Sequence, residues 1–183
     1  MNQSIEVEVL KDSRLIIWSI EDSRHIYFLG FYGKPLGNSK PDEEFEEPLI
    51  LDPVEGVYLM EKGIVRVVEG KEKKPVSINR LKQISRNHLE GFEDKYQVYK
   101  DLREKGFIVT PGIKYGCDFA VYEHGPGIDH APYIIQVRKK FDEITAADIV
   151  KAGRLASTVR KTFIIAIVSK ESLDYLEFKW WKA

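Results

Sequence analysis

The sequence predicts a mixed α/β protein built as two small domains. Three observations carry this. Apolar runs with strand-like character occur in both halves of the 183-residue chain. Segments with apolar residues at helical spacing stand between them. One charged stretch without an apolar side chain, EGKEKKP (69–75), separates a first half of short strands and a helix from a second half with four or five strands and flanking helices. The boundary is expected there, giving domains 1–75 and 76–183.

In chain order, SIEVEVL and RLIIWS alternate or run apolar around KDS, which reads as an opening hairpin. HIYFLGFYGKPLG (25–37) reads as a further strand leaving into a Gly/Pro loop, and NSKPDEEFEEP (38–48) as a mobile acidic surface loop. Asp52 is a plausible N-cap with Pro53 at the first helical position, so VEGVYLMEK is a helix that Gly63 could end. IVRVV is then a short strand. SINRLKQISRN and GFEDKYQVYKDLREKG are helices. The second carries Phe92, Tyr96, Tyr99 and Leu102 on one stripe and ends at Gly106. FIVT, CDFAVYE and APYIIQV are strands. TAADIVKAGRLASTV is a helix with Thr145 as N-cap, TFIIAIV is a buried strand, and LDYLEFKWW is a final strand.

Composition narrows the function. An apolar fraction of 43% supports a packed core, and a formal charge of −1 gives no global attraction to a polyanion, so any such partner needs a local basic patch. The single cysteine, Cys117, excludes an internal disulfide, and no apolar run is long enough to span a bilayer. The N-terminus is acidic and alternating, unlike a secretory signal, so a cytoplasmic location is expected.

Chemistry-bearing residues gather between Lys114 and Lys161. Asp118 on one strand and Gln136–Arg138 at the end of the next have the layout of a metal-dependent nuclease, although an amide is a poor ligand; Asp118 as a structural hydrogen-bond acceptor is the plainer reading. His124 and His130 flank GPGID, an exposed loop, at a spacing that matches no zinc pattern. An imidazole there suits general acid chemistry because it titrates near neutrality. Arg154 and Lys161, seven apart, are either charges complementing a helix C-terminus or a phosphate-binding patch. Tyr115, beside Gly116, is usually a packing residue, and a phenol is a reluctant base unless cations stand near it.

In combination these segments resemble the tRNA-splicing endonucleases, the archaeal intron endonuclease group. The residues that carry the resemblance are KYGCDFAVY, then a variable loop, HAPY, and RLASTVRK before an apolar strand. They match, in order, K-[FY]-G-x-D-F-x-x-Y, H-[AS]-x-[YF] and R-x-A-x-x-V-[RK]-K over roughly the last hundred residues. FLGFYGKPLGN and EPLILDPVEGVYLMEKGIVRV are similar, less sharply, to the family's small N-terminal domain. The resemblance implies a restriction-endonuclease-like mixed-sheet catalytic domain and a triad on Tyr115, His130 and Lys161. It also implies a clamp for a flipped base on Arg154 and, where the family usually has arginine, on Trp180, with Trp181 close by. It implies metal-independent cleavage of precursor tRNA at bulge–helix–bulge elements with no cofactor, leaving 2′,3′-cyclic phosphate and 5′-OH ends. SKESLD (169–174) is weakly acidic for a self-docking loop, so a heterotetramer with a related structural subunit is expected, with a homotetramer as the alternative. Two other functions stay in view: a metal-dependent DNA junction nuclease using Asp118 and Gln136, and a non-catalytic structural subunit of the same complex.

Overall fold

The computed structural model describes residues 4–38, 41–128, 130–159 and 161–178. Two compact units divide the chain, Met1–Phe92 and Glu93–Ala183. Both are mixed α/β, in agreement with the predicted class. No helix among the described residues is long and apolar enough to cross a membrane.

The first unit is built on a six-stranded sheet. β1 (Ile5–Val9) and β2 (Leu15–Ile17) form the opening hairpin, and β5 (Val65–Glu69) lies parallel on the other side of β1. β3 (Lys34–Pro35), β4 (Leu49–Leu51) and β6 (Lys74–Pro75) complete the order β3-β4-β2-β1-β5-β6. The charged stretch 69–75 turns β5 back into β6. α2 (Pro53–Glu61) starts as its sequence dictates. Asp52 accepts from Val54 N at 3.1 Å, and the Glu55 carboxylate accepts from Asp52 N at 2.8 Å, a reciprocal capping box. α3 (Ile78–His88), capped by Ser77, packs on α2 and joins it through a Lys82–Glu61 ion pair at 2.7 Å.

Two expectations for this unit need correction. The run read as a strand, HIYFLGFYG, is mostly the helix α1 (Ile20–Gly30). Ser19 caps it by accepting from Asp22 N, with Glu21 and Asp22 in the first turn. Ser23, Ile26 and Tyr27 are its buried side. The acidic stretch after it is not a loose loop over its described residues. Phe45 is buried, with its ring 5.7 Å from that of Tyr27, and Arg24 donates to the Glu44 and Phe45 carbonyls at 2.6 and 2.7 Å.

The second unit carries a five-stranded sheet in the order β11-β10-β9-β8-β7, formed by β7 (Ile108–Pro111), β8 (Phe119–Tyr122), β9 (Tyr133–Lys139), β10 (Thr162–Val168) and β11 (Leu173–Phe178). β9 and β10 are parallel, and all other pairs are antiparallel. A parallel neighbour requires a crossover, which α5 (Ala146–Val159) supplies. Thr145 caps α5 and Asp148 returns the bond to Thr145 N at 3.0 Å. α4 (Phe92–Glu104) covers the opposite face. Its Tyr99 ring lies 6.0 Å from Phe119, and its Asp101 accepts from Tyr175 Oη of β11 at 2.6 Å. Burial, with that bond added, pushes the Tyr175 phenol far up. The apolar positions of β9 and β10 therefore face helices on both sides, as their continuous apolar runs predict.

Candidate active site

Tyr115 closes a short 3-10 turn, Ile113–Tyr115, on the link from β7 to β8. Glycines shape this turn. Gly116 stands at φ 66, in the left-handed region. A Cβ on Gly112 would fall 2.6 Å from Cys117 Sγ and 2.8 Å from the Cys117 carbonyl oxygen, so no larger residue fits without a shift. Gly112 N donates to Asp118 O, and Tyr115 N to Gly112 O, both at 2.8 Å, which ties the turn to the start of β8. Tyr115 is half-buried against Cys117, Ile134, Ala152, Phe163 and Ile165, the apolar floor beneath α5. Burial pushes the Cys117 thiol up to about 11, so it stays protonated at neutral pH.

Lys161 stands between α5 and β10. Its ammonium donates to the Ala131 carbonyl and lies 5.1 Å from the centre of the Tyr115 ring. Lys114 Nζ lies 5.9 Å from the same centre. Ala131 directly follows His130, which is exposed. The fold thus brings Tyr115 and Lys161 into contact and sets His130 one peptide unit from the carbonyl that Lys161 holds. His124 is also exposed, in the turn after β8. Arg154 is exposed on α5. Trp180 and Trp181, the second half of the expected clamp, lie outside the described residues.

Strand register adds a residue that the sequence did not single out. Val121 pairs with Tyr133, and Tyr133 with Thr162. One step beyond, Tyr122, Pro132 and Lys161 fall in a single row, with Thr162 N still bonded to Pro132 O at 2.8 Å. Tyr122 and Lys161 are each two residues from a member of the neighbouring Ala120–Ile134–Phe163 row, so all of them share the face covered by α5. The signal was present in KYGCDFAVY, whose last letter is Tyr122.

Asp118 is committed elsewhere. One of its oxygens accepts from Gln136 Nε2 at 2.7 Å and from Val137 N at 2.8 Å; the other meets Lys95 Nζ at 3.0 Å. This is the structural-acceptor reading of Asp118. Gln136, the second member of the metal-dependent layout, is spent as its donor. Among the described residues no group of three His, Cys, Asp or Glu side chains is placed to hold a metal ion. A cavity of about 40 Å³ between α5 and the sheet, bordered by Gly116, Gln136, Arg138 and Asp148, has room for a water molecule but not for a nucleotide.

Two mixed α/β units, the second with the Lys161 ammonium against the Tyr115 ring and bonded to the carbonyl beside His130, make this a two-domain α/β protein. The family model for the tRNA intron endonuclease N-terminal domain matches residues 7–82, and that for the catalytic C-terminal domain matches residues 92–175. The chain belongs to the tRNA intron endonuclease family. It is 45% identical over 179 residues to the tRNA-splicing endonuclease of Sulfurisphaera tokodaii, covering 96% of this chain and 98% of that one. It is 42% identical to the tRNA-splicing endonucleases of Saccharolobus islandicus strain M.14.25, over 95% of this chain and 97% of the other, and of Hyperthermus butylicus, with the same coverage.

Proposed function

We propose that this chain is the catalytic subunit of a metal-independent endonuclease that excises introns from precursor tRNA at bulge–helix–bulge elements. The observation that carries this is Lys161, whose ammonium lies over the Tyr115 ring and bonds the carbonyl beside His130. A base, an acid and a charge stabiliser are what RNA cleavage needs, because the 2′-OH next to the scissile phosphate is itself the nucleophile. A tyrosine accepts the 2′-OH proton. His130 protonates the departing 5′-oxygen, and Lys161 stabilises charge gathering on the phosphate oxygens. The products are a 2′,3′-cyclic phosphate and a 5′-OH.

The family resemblance puts the base on Tyr115, and the two ammonium groups around its ring support that assignment. A second reading puts it on Tyr122, favoured by the row it shares with Pro132 and Lys161. Arg154, exposed on α5, is read as one plane of a base clamp whose other plane is Trp180.

Two cuts need two active sites at fixed separation, hence a symmetric assembly. β11 is an edge strand with Leu176 exposed, suited to pairing with another subunit. The turn before it is closed on itself: Ser169 N donates to Ser172 O at 2.9 Å, Ser169 Oγ accepts from Ser172 N at 2.9 Å, and Ser172 Oγ donates to Asp174 at 3.0 Å. So short and weakly charged a turn supports a heterotetramer, with a related structural subunit supplying the acidic docking loop. Light scattering and cleavage of a bulge–helix–bulge RNA on one sample of the purified chain test this together. Full activity is expected only after the structural subunit is added. A stable, fully active tetramer of this chain alone would establish the homotetramer instead, and no cleavage in either case would refute the endonuclease.

A further inference from the structure

We propose that Lys114 is a second phosphate-binding cation of this site, gripping the RNA backbone beside the scissile bond. The proposal rests on the endonuclease reading above. Lys114 is the middle residue of the 3-10 turn, whose backbone is set by Gly112 and Gly116 and bonded to the start of β8. Its side chain is exposed, and its neighbour Ile113, 84% exposed, keeps the tip of the turn open to solvent. The Lys114 and Lys161 ammonium groups lie 5.9 and 5.1 Å from the centre of one ring, so a single strand of RNA can reach both. Among the described residues no carboxylate pairs with Lys114. Like charges gathered around one aromatic ring, with no acid on Lys114, leave a positive surface that an anion would neutralise. Lys161 is proposed for the reacting phosphate. Lys114 stands further out on the turn and fits a neighbouring phosphate of the same strand. A lysine serves as a point charge there, without bidentate geometry.

The plainer alternative is a cation resting on an aromatic ring with no substrate role. The two differ in salt dependence. Binding of a bulge–helix–bulge RNA carrying 2′-deoxy nucleotides at the cut positions would be measured across salt concentrations, using the cleavage-competent assembly. For Lys114→Met we expect the slope of log affinity against log salt to fall by about 0.7, one backbone contact on a single strand. Affinity at ~0.1 M salt should fall about 3–10-fold. Lys114→Arg should recover both. Unchanged slope and affinity in the Met variant, with wild type binding and cutting normally, would overturn the proposal and leave Lys114 as a ring contact. Failure of wild type to bind or cut bulged RNA would strike the underlying endonuclease reading, and this proposal with it.

Discussion

His130→Ala and Lys161→Ala each slow single-turnover cleavage by about 10²-fold or more, the usual scale for losing a general acid or a charge stabiliser. The two losses have different causes. Without His130 the 5′-oxygen must leave as an alkoxide or wait for a proton from water. Without Lys161 the phosphate oxygens lose a cation that the Ala131 carbonyl holds in place. His130 is exposed and Lys161 half-buried, so the rate effect should not come from unfolding, and thermal melts of each variant check this. Phenylalanine at the two tyrosines, in the same assay, identifies the base. The true acceptor falls on the same scale, and the other changes rate far less. His124→Ala also changes rate far less. If His124 were the sensitive histidine, the alignment of the HAPY segment on His130 would be shifted.

A single 2′-deoxy substitution at the cleaved position abolishes cutting there. The attacking oxygen is then missing from the substrate, and nothing on the protein replaces it. The metal-dependent alternative makes the opposite prediction, because an activated water is indifferent to the neighbouring sugar. Its intended ligand is poorly available in any case. Asp118 already receives Gln136, Val137 N and Lys95, and these bonds fasten the start of β8 to β9 and to α4. Asp118→Ala is for that reason a poor probe of catalysis, since it releases the base of the Tyr115 turn.

Much of this was legible in the sequence where one signal dominates. Asp52-Pro53 fixed the start of α2, and the apolar run 162–168 marked a strand enclosed between β9 and β11. The apolar richness of HIYFLGFYG hid α1, because Ile26–Leu29 at its C-terminal end is apolar on every side, with Phe28 and Leu29 exposed, and so shows no periodicity; the cap at Ser19 was the better guide. Phe45 amid five acids looked like solvent-facing chain. Its anchorage depends on Arg24 and Tyr27, about twenty residues away, which no local pattern reports. β4 was missed because three residues are too few to show alternation. At the site, the family motifs pointed to Lys161 and His130, but the bond from Lys161 to the Ala131 carbonyl is made to a backbone group invisible to motif reading. Tyr122 needed the strand register. Its row with Lys161 spans three strands and some forty residues of chain.

The central claim is that the substrate's own 2′-OH attacks the phosphate, with protein side chains alone moving the protons. The most direct measurement is end-group analysis of the products formed from a bulge–helix–bulge RNA in excess EDTA, using the cleavage-competent assembly. The expected result is undiminished cutting, with a 2′,3′-cyclic phosphate on each upstream fragment and a 5′-OH on each downstream one. Cutting that disappears in EDTA and returns with magnesium, or products ending in 3′-OH and 5′-phosphate, would contradict it.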